Sequence, residues 1–127
     1  MAKGYNSNQE RLAEINRLGK DLAKRAGFCC EWCSSKDDLR PWDQAPDQEP
    51  ELPRLALLCG RCRQLASGHN ADPNELHTLR TALWSDIPAV AEGVALVLIA
   101  SRLPWVREAI EESLIEEATK SRLLALL

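Results

Sequence analysis

The sequence predicts a mostly α-helical fold that carries one small β-hairpin, and three observations predict it. Two Cys-x-x-Cys pairs, Cys30/Cys33 in FCCEWCSS and Cys59/Cys62 in LALLCGRCRQ, are separated by residues 34–58, enough chain for a hairpin and a loop. The second pair follows a short apolar run, Leu55 to Leu58, and precedes RCRQLA, which can open a helix. Apolar residues recur at helical spacing before the first pair and through the segment after the second. Knuckle, hairpin and second knuckle at a helix start is the order of a treble-clef or zinc-ribbon site. The expected fold is therefore a treble-clef/zinc-ribbon module plus a helical bundle. Residues 1–67 would hold the first helix and the four-cysteine zinc module, and residues 72–127 the helical region.

Residues 1–6 read as a loose lead. Ser7 and Glu10 match the capping-box pattern, with Ser7 as N-cap. Leu12, Ile15, Leu18 and Leu22 follow at helical spacing and Gly27 supplies a stop, so a first helix is expected over Asn8 to Ala26. Asp38 to Trp42 suits a short strand, WDQAPDQEPELP a mobile acidic loop, and Leu55 to Leu58 the return strand. A helix from Arg61 to Ala66 breaks at Ser67-Gly68, and Asp72-Pro73-Asn74-Glu75 opens another. Leu76, Leu79 and Leu83 make one stripe. Ser85-Asp86-Ile87-Pro88 restarts the helix, since proline is tolerated in a first turn. Ile87, Val90, Val94, Val97 and Leu98, with Ala91 and Ala95 between, form a segment apolar enough for the centre of a helical layer. Pro104 interrupts. Trp105 to Leu114 is expected to be helical, and Ser113-x-x-Glu116 to cap a last helix towards Leu127.

A two-residue spacer lets one tight turn place both sulfurs of a pair on one metal, and two such pairs supply the four thiolates of a tetrahedral Zn²⁺ site. Cys30, Cys33, Cys59 and Cys62 are the expected ligands of one structural zinc ion. Iron remains an alternative, because thiolates alone do not select the metal. A thioredoxin-like redox pair would use one Cys-x-x-Cys and leave the other idle. Disulfides fit an oxidising compartment, yet MAKGYNSNQERLAE carries no apolar signal segment. Cys29 is the odd thiol: as a ligand it would give a three-residue spacer to Cys33, and otherwise it is expected to be a small buried residue beside the knuckle. Four thiolates complete a closed site, which stabilises structure and leaves no open position for a reactive water. Because few large apolar residues lie between Gly27 and Pro53, metal is expected to supply on the order of 10 kcal/mol to this half. Loss of a ligand would then unfold the module and spare the distal helices.

Hydrophobic residues make up 45% of the chain with one Phe and one Tyr, so the core is aliphatic, and Trp32, Trp42, Trp84 and Trp105 are its aromatic anchors. No apolar run reaches the ~18 residues of a membrane helix, and a cytoplasmic location is expected. The net charge of −3 disfavours a generic polyanion binder. Its distribution is uneven: residues 1–40 carry eight basic and six acidic groups, residues 64–127 five basic and nine acidic. Arg54, Arg61 and Arg63 cluster around the second pair, so any phosphate contact would centre there and on Lys24 and Arg25 of the first helix.

FCCEWCSSKDDL, LALLCGRCR, LHTLRTALWSDIPAVAEGVALVL and RLPWVREAIEESL together resemble the N-terminal region of the PhnA-type proteins, bacterial proteins named after a phosphonate-utilisation operon. The resemblance spans roughly Lys24 to Ile115. It implies a zinc-ribbon start followed by helices, with Cys30, Cys33, Cys59 and Cys62 as ligands and Trp84, Pro88 and Val90 as structural residues. Such proteins usually continue into a small β-rich domain, so any activity housed there is expected to be missing from a chain ending at Leu127. The knuckles also resemble those of HNH nucleases, whose chemistry needs a general-base His and a metal-binding His. The segment RPWDQAPDQEPELPR between the pairs has neither; only His69 and His77, both after the second pair, are on offer.

Neither a Gly-rich phosphate loop nor a Ser-His-Asp pattern is present in the sequence. The expected function is thus a small zinc-stabilised adaptor without catalysis. It would bind another protein or itself, using Trp42 or Trp105 on an apolar patch, or the tail RLLALL. The alternative is a nucleic-acid module built on Arg54, Arg61, Arg63, Lys24 and Arg25, and the third class a degenerate HNH enzyme using His69.

Overall fold

The computed structural model describes residues 2–127, with side-chain surroundings from residue 9 onward. It is mostly helical, with a two-stranded antiparallel sheet. Helix α1 (Ala2–Arg25) leads to the first cysteine pair. Strands β1 (Arg40–Asp43) and β2 (Leu55–Leu58) follow, then α2 (Gly60–Ala66) and α3 (Pro73–Leu79), which tightens into a 3₁₀ turn at Arg80–Trp84. Helices α4 (Pro88–Ser101), α5 (Val106–Glu112) and α6 (Glu117–Leu124) complete the chain.

β2 reads as an unbroken apolar run because it is covered on both sides. Leu55 and Leu57 pack against Leu22 of α1, with Ile15 and Leu18 beside them, while Ala56 and Leu58 point into the main core. β1 pairs with β2 in the register Arg40↔Leu58 to Asp43↔Leu55. The hairpin is therefore a thin wall, with α1 on one face and the helical layer on the other.

At the centre of that layer lies α4, apolar nearly all round and buried at Ala89, Val90, Ala91, Gly93, Val94, Ala95, Leu98 and Ile99. Pro88 at its first turn and the Ser85 hydroxyl, which accepts the Ile87 amide at 3.1 Å, set its start. Leu76, Leu79 and Leu83 are all buried, as their spacing predicts. Asp72 caps α3 through the Glu75 amide at 2.8 Å.

One core runs through both halves of the sequence. Cys30, Trp32, Ala56, Leu58, Cys59 and Cys62 belong to the same buried cluster as Leu79, Val94, Leu98, Ile110 and Leu123. The cysteine module and the distal helices thus share buried contacts.

Several elements differ from the sequence expectation. α1 begins at Ala2, so Ser7 lies within a helical run and not at its N-cap; once nucleated, a helix extends at little cost per residue. Asp38 adopts φ +47°, which keeps it out of β1 and moves the strand to Arg40–Asp43. The acidic loop after β1 is not left loose: Arg11 binds the Asp43 carboxylate, the Ala45 carbonyl at 2.9 Å and the Gln48 carbonyl. Ser113 does not cap α6. It is buried, donates to the Ile110 carbonyl at 2.6 Å and accepts the Ile115 amide, closing α5 instead.

Candidate metal centre

Each cysteine pair is positioned by its own turn. In the first, the Cys30 amide donates to the Ser35 carbonyl at 2.8 Å and the Ser34 amide to the Cys30 carbonyl at 2.9 Å, with Ser34 at φ +68° closing the loop. In the second, Cys59 is the N-cap of α2, in extended conformation, and its Sγ accepts the Cys62 amide at 3.4 Å. A sulfur in the place of a capping oxygen puts Cys59 and Cys62 on the same side of the first helical turn.

The four sulfurs of Cys30, Cys33, Cys59 and Cys62 all lie within 4.8 Å of one another. Cys33 Sγ and Cys59 Sγ, from different knuckles, are 3.6 Å apart. Four thiolates at ~2.3 Å around one tetrahedral ion stand about 3.8 Å apart, so this arrangement fits a single metal ion. Cys30, Cys59 and Cys62 are buried and Cys33 is half-buried. Cys29 faces away, half-buried, its thiol 3.4 Å from the Gly27 carbonyl, and it is not part of the group. The sulfur brought into the group is that of Cys30 and not of Cys29, and Cys29 is half-buried where a small buried residue was expected.

Without a metal, four close thiols share their protons unequally. A hydrogen bond from the Cys62 thiol, aided by backbone hydrogen bonds at Cys59, Cys33 and Trp32, outweighs burial and holds Cys30 down to about 4. Burial pushes Cys33 up to about 11, and donating to Cys30, together with burial, pushes Cys62 upward. One thiolate and neighbouring protonated thiols are thus ready for a cation that displaces the protons.

The surroundings lock both knuckles. Glu31, between Cys30 and Trp32, receives Arg25 through two contacts at 2.7 and 3.2 Å and accepts the Leu57 amide at 2.8 Å. Arg25 also donates to the Leu52 and Leu55 carbonyls, each at 2.6 Å, so α1, the first knuckle and β2 meet in one network. Arg63 of α2 holds the Asp38 carboxylate at 2.6 Å and keeps it below the usual carboxylate range. Trp32 Nε1 donates to the Val90 carbonyl at 3.1 Å, and Trp32 meets Trp42 edge-on at 5.5 Å. Both indoles press on Gly93, where a Cβ would lie 2.7 Å from Trp42 and 3.0 Å from Trp32. The Gly93 backbone is the floor on which the first knuckle rests.

The arginines singled out from the sequence are engaged within the chain. Arg25 serves Glu31, Arg54 the Glu49 carbonyl, Arg61 the Glu75 carboxylate and the Asn70 carbonyl, and Arg63 Asp38. Lys24 stands exposed, with no ion pair among the described residues. Trp42 and Trp105 both pack at the edge of the main core, Trp105 edge-on to His77, so neither heads an open patch as the sequence suggested. Among the described residues, neither His69 nor His77 joins a group of metal-capable side chains; the His69 ring is 3.0 Å from the Gln64 carbonyl. Trp84 lies under the Arg80 guanidinium, and Val90 is buried. Sequence reasoning missed Glu31 and Gly93: Gly93 meets Trp32 and Trp42 from far along the chain, and Glu31 joins Arg25 to the remote Leu57 amide in a way no local pattern marks.

Comparison with protein-family models, curated proteins and solved structures returns no match. What the site defines is a four-cysteine centre positioned to bind one metal ion. No helix is long and apolar enough to cross a membrane among the described residues.

Proposed function

We propose that the chain is a structural zinc protein, of treble-clef type and PhnA-like in its knuckles and helices, that works by binding another protein and not by catalysis. The observation that carries the reading is the closed set of four cysteine sulfurs within 4.8 Å. Four thiolates suit zinc and leave no ligand position for water or substrate. The sequence of knuckle, hairpin and second knuckle at the start of α2 supports the treble-clef assignment. Zinc bound here would supply Lewis acidity only to its own ligands. The chain's residues do the rest: Glu31 and Arg25 fix the first knuckle, and Trp32 anchors it to α4.

Internal engagement of Arg25, Arg54, Arg61 and Arg63 supports a protein partner over a polyanion, since phosphate contacts would compete with existing hydrogen bonds. Metal analysis of untagged, reduced protein tests the centre. One zinc per chain is expected, with the thiols of Cys30, Cys33, Cys59 and Cys62 shielded from alkylation and Cys29 reactive. Iron in its place, or five freely reactive thiols, would overturn the assignment.

A further inference from the structure

The two flanks of the first knuckle are held unequally. On the side of α1, the Glu31 amide donates to the Leu57 carbonyl at 2.8 Å and its carboxylate takes Arg25 at 2.7 Å. On the other side the chain leaves Cys33 as a short limb, residues 34–39, in which Ser34, Lys36, Asp37 and Asp38 are exposed. Leu39 anchors the far end of the limb, packing against both core clusters. Cys33, at the near end, is half-buried, whereas Cys30, Cys59 and Cys62 are buried. Ser34 at φ +68° and Asp38 at φ +47° are both left-handed, a conformation that persists in such residues where the surroundings hold it.

Arg63 ties this limb to the second knuckle. Its Nη2 donates to the Asp38 carbonyl at 2.7 Å and to the Asp38 carboxylate at 2.6 Å. Among the described residues, these are the hydrogen bonds that join the limb to α2. Gly60, between Cys59 and Cys62, lets the carboxylate come close: a Cβ there would lie 3.1 Å from Asp38 Oδ2 and 3.7 Å from Arg63 Nη2. Arg63 Nε is buried without a partner. An enclosed, unpaired donor is unfavourable, so the bonds made by the outer nitrogen keep the guanidinium in place. The other charges nearby do not replace it. Arg40 Nε reaches Asp38 Oδ1 at 3.3 Å, but Arg40 lies on the limb's own strand, and Arg61 turns to Glu75. Lys36 and Asp37 are in no ion pair among the described residues.

We infer that Arg63 is a positioning residue for metal exchange: Cys33 and the limb behind it form the side by which an ion enters and leaves the four sulfurs, and the Arg63–Asp38 contact is the latch that keeps this side shut. The inference rests on the reading of the cysteines as a metal centre and names what controls exchange there. Release begins with a sulfur that can swing away. Cys59 and Cys62 are fixed by the first turn of α2, and Cys30 precedes Glu31 and Trp32, which are bonded to Leu57 and Val90. Cys33 has exposed chain behind it and one latch to break.

Zinc release from the full, untagged chain into excess chelator tests it. Arg63→Met keeps the length of the stem and removes the latch. Release should become about tenfold faster, the low end for loss of a supporting contact at a metal site because Asp38 is 57% exposed. Loading should quicken too, so affinity should change less than either rate. Asp38→Gly, which tolerates the left-handed backbone, should act like Arg63→Met. Asp38→Asn, which keeps an acceptor oxygen, should stay within about threefold of wild type. Added salt should hasten release from wild type and leave Arg63→Met unmoved. A lower melting temperature with unchanged release would make Arg63 a structural residue only and overturn the inference.

Pulsed alkylation of the metal-free chain gives a readout that needs no zinc. Cys33 should be modified about tenfold faster in Arg63→Met than in wild type, as loss of a latch on local opening requires, with the Cys29 rate unchanged as internal reference. Equal Cys33 rates in the two proteins, or Cys59 and Cys62 reacting ahead of Cys33, would overturn the inference. Wild type that binds no zinc would defeat the metal assignment, while the alkylation rates would still judge the latch.

Discussion

Gly93→Ala tests whether the metal centre and the helices form one cooperative unit. In an exposed helix the change would gain about 1 kcal/mol from the better propensity of alanine. Here the new Cβ would lie 2.7 and 2.9 Å from two ring carbons of Trp42 and 3.0 Å from one of Trp32. Ordinary carbon–carbon contact is about 3.5–4.0 Å, so both rings must retreat by roughly half an ångström or more. They cannot do so independently, because they pack edge-on to each other and Trp32 is hydrogen-bonded to the Val90 carbonyl on the same helix. Overpacking of this kind costs roughly 1–3 kcal/mol, and with two rigid rings displaced the upper part of the range applies, leaving a net loss of about 1–2 kcal/mol. At roughly 4 °C per kcal/mol for a chain of this length, the melting temperature should fall by about 4–8 °C. Trp32 lies between Cys30 and Cys33, so its displacement must also disturb the first knuckle, and metal affinity measured by chelator competition should fall together with the melting temperature. A Gly93→Ala protein that melts higher than wild type with unchanged metal affinity would refute the reasoning. A drop in metal affinity without any drop in helical melting would restore the picture of two independent modules.

The remaining expectations concern the ligands and their surroundings. Cys30→Ser should abolish stoichiometric metal and lower the melting of the whole chain, helices included, whereas Cys29→Ser should leave metal content and melting unchanged by metal analysis and circular dichroism. Metal binding at neutral pH should release protons from Cys33 and Cys62 but none from Cys30, whose thiol is already ionised above about 4. Affinity should therefore rise with pH by about a hundredfold per unit or more near neutrality, since at least these two protons are displaced, and calorimetry in buffers of different ionisation enthalpy counts them. Arg25→Met, which strands the largely buried Glu31 carboxylate, should cost about 3 kcal/mol or more in urea unfolding, and adding Glu31→Gln should recover part of it.

Much of the site was legible because its geometry is local. The two-residue spacers, the apolar run into Cys59 and the helix start after it determine where each pair of sulfurs must sit, and the structure brings those four together. The helices from Asp72 onward were legible for the same reason: the Asp72 cap of α3 and the apolar spacing of the helices act within one or two turns. What could not be read depends on partners remote in sequence. Trp32 finds the Val90 carbonyl 58 residues away, and Arg11 closes on Asp43 across 32. The misplaced signals share a cause: Ser7 and Ser113 each match a capping pattern, but a pattern only offers a hydrogen bond. Ser113 meets the Ile110 carbonyl first, and the helix around Ser7 had already begun.

A hairpin of two four-residue strands is not stable by itself in water, and this one carries both knuckles at its ends. Three things hold it: α1 packed on Leu55 and Leu57, the indole pair seated on Gly93, and the four sulfurs. The first two are ordinary burial and hydrogen bonding between protein groups. A metal bound to a site already assembled closes the gap between the knuckles and need not fold the whole module, which is the role expected when the sequence is read alone. The distinction is measurable. If α1 and the indole pair preassemble the site, the metal-free chain should retain native-like tryptophan fluorescence and helical circular dichroism, with a lower melting temperature. A metal-free chain with random-coil spectra would instead mean that the ion nucleates everything the cysteines touch.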